Sequence, residues 1–180
     1  MLNVGIVSLG AMGRTIAESV INSGHMVHWT SESRSEQTVA ESRKLHNAIE
    51  HPTLSELFDS SDVIICIGRG GIAEETIEKA KENRYKGIYV DGNNLHGPES
   101  EKYIASTAES VNINYVEALF RGYPLGYDQG GGEDKRNLYL SGLWGSTQVI
   151  ESIFSDGLWT VETVAESAKA LNRTRFGRLF

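Results

Sequence analysis

Cysteine and proline are scarce in this chain, and no apolar run is long enough to cross a bilayer. The 180 residues contain three prolines and one cysteine, Cys66. A single cysteine excludes a disulfide within the chain, so we expect a reducing compartment, the cytoplasm. Cys66 lies in an apolar run and is expected to be an inert core residue. A membrane span needs about 20 consecutive apolar residues, and we also find no signal-peptide pattern.

Positive charge is in deficit as well. Lysine and arginine number 17 against 24 acidic residues, which gives a net charge of -7. This balance argues against nonspecific binding to nucleic acid or to an anionic membrane. The five histidines show no metal-ligand spacing, so the sequence predicts no metal site. Neither a nucleophile elbow nor a Walker lysine is present.

Apolar runs alternate with amphipathic segments along most of the chain. Strands are predicted at 2–7, 25–30, around Ile49, and at 62–67, 87–90, 113–119, 138–140 and 158–161. Helices are predicted between them, with Ser35 and Ser55 as N-caps and Pro98 at a first helical position. The segment 162–180 has a mostly helical pattern. This alternation predicts one α/β domain, a doubly wound and mainly parallel sheet with helices on both faces.

A glycine turn joins the first predicted strand to the first helix. Gly10 and Gly13 stand at the second and third glycine positions of the G-x-G-x-x-G fingerprint, and Ser8 replaces the first. Gly10 permits close approach of a pyrophosphate, and Gly13 permits close packing of helix on strand. The context predicts a Rossmann-type dinucleotide site at a helix N-terminus; a purely structural glycine turn is the alternative. The predicted contacts are Ser8, Leu9, Gly10, Ala11, Met12 and Gly13.

The residues after the second strand bear on which dinucleotide is bound. An acidic residue here would hold the free ribose 2′-hydroxyl of NAD, but Ser31 stands at that position. Ser31, Ser33 and Arg34 are suited to a 2′-phosphate, with Arg34 supplying a planar charged fork. Glu32 either points to solvent or serves as the ribose acid one position late. We favour NADP over NAD. The alternative for this segment is a polar loop that caps a helix, a role that it could also have while binding either cofactor.

An ordered set of motifs gives the chain a family resemblance. The matching segments are 5–13, 24–25, 32–35, 61–64, 89–93 and 138–142. With these, the chain resembles the N-terminal cofactor domain of the 6-phosphogluconate dehydrogenase and β-hydroxyacid dehydrogenase superfamily. It is most similar to the branch whose C-terminal half is a helical domain of unknown function. That domain is missing here, so either a partner subunit, as in a homodimer, completes the site or the protein is truncated or repurposed.

The resemblance implies an NAD(P)-dependent oxidoreductase that moves a hydride to or from a small hydroxy or keto acid. A cofactor-binding protein without hydride chemistry and a methyltransferase of similar fold are the alternatives. Family members use a helix lysine followed by an asparagine, which match Lys169 and Asn172; an ordinary solvated lysine is the other interpretation. Family loops that line the nicotinamide match Ile67, Gly68, Arg69 and Asn93. The expected boundaries are 1–163 for the dinucleotide-binding domain and 164–180 for the start of a C-terminal helix.

The residues after Leu119 depart from the family pattern. Members carry a small-residue, glycine-rich substrate loop there, whereas this chain has Phe120-Arg121-Gly122-Tyr123-Pro124. The usual acid substrate is therefore not implied, although Arg121 or Arg69 could meet an anionic group. The irregular segment 121–137 is predicted to be either a functional loop or a solvated connector.

Overall fold

The computed structural model describes residues 1–68, 71–93, 97–127 and 136–165, in which strands and helices alternate. The strands are β1 (Asn3–Ile6), β2 (Met26–Thr30), β3 (Ala48–His51), β4 (Val63–Cys66), β5 (Ile88–Asp91), β6 (Asn114–Arg121), β7 (Arg136–Gly142) and β8 (Trp159–Ala165). The helices are α1 (Ala11–Asn22), α2 (Glu36–Ser42), α3 (Leu54–Asp59), α4 (Ile72–Glu82), α5 (Pro98–Ser110) and α6 (Trp144–Ile153).

All eight strands belong to one sheet in the order β3-β2-β1-β4-β5-β6-β7-β8. The pairs from β3 to β6 are parallel, whereas β7 runs antiparallel to β6, and β8 is parallel to β7. The strand order reverses at β1, which lies between β2 and β4. This arrangement confirms the predicted doubly wound, mainly parallel α/β fold.

Helices cover both faces of the sheet because its central strands are apolar on both sides. One apolar layer takes side chains from α1 and α6 and includes Ile16, Val20, Trp29, Ile65 and Ile150. The opposite layer takes side chains from α3, α4 and α5 and includes Leu57, Ile64, Cys66, Ile77 and Ile104. Neighbouring residues of β4 therefore point into different layers, as the two-residue period of a strand requires.

The helix caps match two of the three predictions. The Ser35 hydroxyl accepts the N–H of Thr38 and caps α2, and Pro98 is the first residue of α5. The prediction of Ser55 as a cap is wrong, because Thr53 caps α3 by accepting the N–H of Glu56. Ser55 lies two residues later, as the second residue of the helix, and so does not stand at the N-cap position from which a side chain accepts the free N–H groups.

The last described strand corrects the predicted C-terminal pattern. β8 continues to Ala165, so residues 162–165 are strand rather than helix, and the strand passes the expected boundary at 163. Pairing with β7 along its length explains the difference, because a ladder of backbone hydrogen bonds overrides a weak local helical pattern. The rest of the predicted C-terminal helix, 166–180, lies outside the described residues.

Candidate cofactor site

The carboxyl ends of β1, β2, β4 and β5 meet at one edge of the sheet, around the point where the strand order reverses. In open α/β sheets a ligand crevice forms there. The chain leaves β1 through Val7 and Ser8 and enters α1 at Gly10, whose carbonyl accepts the N–H of Arg14 at 2.9 Å. The N–H groups of the first helical residues have no partner inside the helix, so they form an anion-binding end.

The two glycines of this turn differ in how their surroundings would accept a side chain. A methyl group at Gly13 would lie 2.0 Å from the carbonyl oxygen of Ser8, so close packing of helix on turn requires glycine. At Gly10, among the described residues, no atom beyond those of Gly10 and its two chain neighbours lies within 4 Å of the same position. Its φ of -62° is open to any residue. The protein itself does not require glycine at Gly10, and the open space is where a dinucleotide phosphate would approach.

The loop after β2 folds tightly on itself. The N–H of Glu32 donates to Thr30 Oγ1 at 3.1 Å, and the N–H of Arg34 donates to the Ser31 carbonyl at 3.1 Å. Arg34 Nε also donates to the Glu32 carbonyl at 2.9 Å. Ser33 takes a φ of 57° in the left-handed region, which non-glycine residues seldom adopt. The loop therefore presents Ser31, Ser33 and Arg34 in one compact turn.

The Glu32 side chain links this loop to α3. Its carboxylate accepts the N–H of Leu54, the first residue of that helix, where a negative charge is favourable. The sequence allowed two positions for this carboxylate, solvent or the ribose. The structure shows one carboxylate oxygen at the N-terminus of α3, and Glu32 also lines a neighbouring cavity.

A small cavity lies between the β2 loop and the start of α4. Its walls combine apolar side chains with the polar residues of the loop. The lining consists of Val7, Thr30, Glu32, Ser33, Arg34, Leu54, Ile72, Glu75 and Thr76. Val7 directly precedes the glycine turn, so cavity and helix N-terminus are neighbours. Six of these nine residues are polar or charged, so the cavity offers hydrogen-bonding groups beside the glycine turn.

Asn93 joins the ends of β4 and β5. Its Oδ1 accepts the N–H of Gly68 at 2.7 Å, and its Nδ2 donates to the Cys66 carbonyl at 3.0 Å and to Asp91 Oδ1 at 2.8 Å. Asn93 is 3% exposed and Asp91 is fully buried. Tyr115 adds a hydroxyl bond to Asp91 Oδ2 at 3.3 Å. This network holds together the two strand ends that the sequence placed near the nicotinamide.

Cys66 is part of the core beneath this network. Burial, reinforced by the Asp91 carboxylate, raises the pKa of its thiol to about 11. The thiol is therefore protonated at neutral pH, and its nucleophilicity is low. This agrees with the expectation that Cys66 is inert.

The segment after β6 packs on α1, the helix that begins at the glycine turn. The N–H of Leu125 donates to Thr15 Oγ1 at 2.9 Å, and Thr15 is buried on α1. Arg136, 3% exposed, donates from Nε to the Tyr123 carbonyl at 2.9 Å. Thr15 was not singled out from the sequence, because nothing local marks a contact across 110 positions.

The structure brings most of the predicted cofactor residues to one edge of the sheet. The turn residues 8–13, the loop residues 31–34, and Ile67, Gly68 and Asn93 all follow the carboxyl ends of β1, β2, β4 or β5. Arg69, Lys169 and Asn172 lie outside the described residues. Within the described ranges no group of three side chains is arranged to hold a metal ion. The helices of those ranges also include none long and apolar enough to span a bilayer.

The geometry of the glycine turn fits a dinucleotide, because the open space at Gly10 lies at the N-terminus of α1 and a small cavity begins nearby at Val7. Fold and site together define a Rossmann-type nucleotide-binding protein. The sequence-family model for the NAD-binding domain of 6-phosphogluconate dehydrogenase matches residues 3–130 of this chain. The chain belongs to this family.

One curated relative shares sequence with the chain, and solved structures share its fold. An uncharacterized oxidoreductase of Bacillus subtilis, YkwC, is 30% identical over 135 residues, which are 71% of this chain and 44% of YkwC. An imine reductase from Myxococcus stipitatus in complex with NADP+ superposes with a TM-score of 0.77 at 16% identity, covering 97% of this chain and 60% of the reductase. The 3-hydroxyisobutyrate dehydrogenase of Mycobacterium tuberculosis gives a TM-score of 0.76 at 14% identity, covering 93% of this chain and 56% of the dehydrogenase. The chain thus spans about half of the lengths of these relatives.

Proposed function

We propose that this chain binds NADP and carries the cofactor half of an oxidoreductase of the β-hydroxyacid dehydrogenase type. The observation that carries the proposal is the open approach at Gly10, on the N-terminal end of α1. Phosphate groups would lie against the N–H groups there. The adenosine would lie along the β2 loop, over the mouth of the small cavity that begins at Val7. YkwC, described as an oxidoreductase, supports the reaction class.

The preference for NADP rests on the loop after β2. Arg34 is the cation among the described lining residues of the cavity, and Ser33 lines it as well. One oxygen of the Glu32 carboxylate accepts the Leu54 N–H, and the other retains acceptor capacity, so the preference for NADP rests on Arg34 and Ser33. A guanidinium beside a serine hydroxyl suits a 2′-phosphate. NAD remains the second candidate, because a variant imine reductase of the same fold is described with NAD+.

The chemistry that we propose is hydride transfer with a small hydroxy or keto acid or a related substrate. Bound NADPH would supply the hydride to a keto acid, and bound NADP+ would accept it from a hydroxy acid. Lys169 is proposed to exchange the accompanying proton and Asn172 to assist it, because a lysine of lowered pKa serves as acid or base. We further propose that the protein is cytoplasmic and that a second copy, in a homodimer, completes the site.

Turnover tests this proposal. NADPH oxidation is followed with a panel of small keto acids and imines, for the wild type and for Lys169→Ala. We expect consumption that depends on one substrate and that falls at least about a hundredfold in the variant, as for loss of a general acid. Lys102→Ala, which removes an exposed lysine of α5, is the matched control and should retain full activity. Full turnover in Lys169→Ala would exclude this lysine from the mechanism.

The alternative function is NADP binding without catalysis, in a truncated or sensing protein. The departure from the family pattern at 120–124 favours this alternative, since the usual substrate loop is replaced. It predicts tight NADPH binding with no consumption across the whole substrate panel. Binding and turnover measured on one preparation therefore separate the two functions.

A further inference from the structure

We infer that Asn93 is a positioning residue for the nicotinamide half of the cofactor, acting through the N–H of Gly68 rather than by touching the cofactor with its side chain. This inference rests on the proposed function and deepens it. The sequence placed Asn93 among direct contacts, and its hydrogen bonds suggest a different role.

The side-chain amide of Asn93 has little capacity left for a ligand. An asparagine amide has two N–H donors, and here they meet the Cys66 carbonyl at 3.0 Å and Asp91 Oδ1 at 2.8 Å. Its oxygen accepts the Gly68 N–H at 2.7 Å. A nicotinamide carboxamide could engage the Asn93 donors only by displacing a buried partner, which costs free energy.

Asp91 orients this amide. Its Oδ1 accepts from both the backbone N–H of Asn93, at 3.0 Å, and the side-chain Nδ2. The Tyr115 hydroxyl donates to Oδ2 from β6. The buried carboxylate at the end of β5 thereby selects the amide orientation in which Oδ1 faces Gly68.

The receiving end of this network is the loop after β4. Gly68 is the second residue beyond the strand, and the loop leads toward Gly71, the N-cap of α4. β4 and β5 lie on the opposite side of β1 from β2. The strand order reverses at β1. A dinucleotide that crosses the sheet edge at this point with its adenosine at β2 would bring its nicotinamide half to the loop after β4. The inferred action of the Asn93 contact is on the nicotinamide half, and the ligand comparison below tests this selectivity, because α4 residues after the same loop line the cavity near β2.

The test compares two ligands that share the adenosine half. NADPH carries both halves, whereas 2′,5′-ADP carries the adenosine and 2′-phosphate alone. Dissociation constants for both are measured with the wild type and with Asn93→Asp, which removes the Nδ2 donors, and Asp91→Asn, a milder change of the same network. We expect NADPH to bind about tenfold more weakly to Asn93→Asp, in line with the loss of a buried hydrogen bond. Binding of 2′,5′-ADP should change less than about twofold.

A second readout does not need the cofactor. Hydrogen exchange of the Gly68 amide in the free protein should accelerate in both variants, because its acceptor is no longer held in place. Asn83→Asp is the matched control: Asn83 also donates its amide to a backbone carbonyl, that of Lys79 at 2.7 Å, but at the far end of α4. It should change neither ligand affinity nor Gly68 exchange.

The outcomes separate the inference from the proposed function. Equal weakening of both ligands in Asn93→Asp, or unchanged NADPH affinity, would overturn the positioning role, as would unchanged Gly68 exchange. Wild-type protein that binds neither ligand would overturn the proposed function, and the inferred cofactor role would fail with it. Acceleration confined to Gly68 together with selective loss of NADPH affinity supports the inference.

Discussion

At the scale of single residues, Glu32 shows how the loop after β2 is anchored by a distant part of the chain. Its carboxylate caps α3 through the Leu54 N–H, 22 positions further along the chain. The Ser31 N–H donates to the carbonyl of His51, at the end of β3. The β2 loop is therefore held at two points by the segment that connects β3 to α3, and Arg34 is presented from a fixed base.

Removal of Arg34 should abolish the preference for NADP. In Arg34→Ala the charged fork beside the 2′-phosphate is lost, so we expect the dissociation constant of NADPH to rise at least about tenfold. NADH lacks that phosphate, and its affinity should change less than about threefold. Both constants are measured by fluorescence titration. The control is Lys44→Ala, which removes the same charge from an exposed lysine paired with Glu41. An unchanged ratio of the NADPH and NADH dissociation constants in Arg34→Ala would refute the assignment of the loop.

Residue types were readable from the sequence at this scale, but their partners were not. The serine and arginine loop was recognised because it follows a strand and a glycine turn. The cap formed by Glu32 and the amide network of Asn93 join positions 22 to 27 apart, and no local pattern encodes such contacts. Thr53 was missed for a smaller reason, since two hydroxyl residues flank Leu54 and only backbone geometry shows which one caps the helix.

At the scale of elements, the strand, turn and helix at the N-terminus form one unit with two glycines of distinct purpose. Gly13 serves packing, because a methyl group there would meet the Ser8 carbonyl. Gly10 has open space and an ordinary φ. The fingerprint in the sequence predicts these two purposes, and the contacts at Gly13 agree with its packing role.

Alanine substitutions should separate packing from binding. Gly13→Ala forces helix and turn apart, and overpacking of this kind costs about 1–3 kcal/mol of unfolding free energy, or several degrees of melting temperature. Gly10→Ala should leave the melting temperature within about 1 °C, since a surface change without contacts is nearly neutral. It should nevertheless weaken NADPH at least about tenfold, because the methyl group occupies the phosphate approach. Thermal melts and titrations of both variants check this; undiminished NADPH affinity in Gly10→Ala contradicts a phosphate site at the turn.

Element prediction succeeded where apolar pattern and neighbours agree. The central strand β4, apolar on both faces, and the helix that starts at Pro98 were located from the sequence. The extent of β8 was not, because residues 162–165 carry a weak helical pattern and become strand through pairing with β7. Long-range pairing is the part of the fold that local periodicity does not contain.

At the scale of the whole molecule, one histidine pair at the edge of the sheet should make the stability of the protein depend on pH. His28 on β2 is 7% exposed, and its Nδ1 lies 2.9 Å from Nε2 of His51 on β3. Burial, followed by the proximity of His51, lowers the pKa of His28 below 6.5, and Asp62 opposes this in part. The unfolded chain therefore binds a proton more readily at this histidine than the folded chain does.

Stability should fall as the solution becomes acidic. For a histidine whose folded pKa is lowered, the stabilisation is present above its unfolded pKa of 6.5 and is lost as pH falls below that value. Urea midpoints between about pH 7.5 and pH 5 should decrease less in His28→Asn than in the wild type. His46→Asn changes an exposed histidine and should follow the wild type. The same pH dependence in His28→Asn and in the wild type would show that this pair does not carry the effect.

The central claim is that the edge of the sheet around Gly10 and Arg34 binds NADP. Equilibrium titration of the wild-type protein with NADPH, NADH and S-adenosylmethionine tests it most directly. The account predicts saturable NADPH binding at least about tenfold tighter than NADH, and no binding of S-adenosylmethionine. Binding of S-adenosylmethionine without either dinucleotide, or a clear preference for NADH, would contradict it.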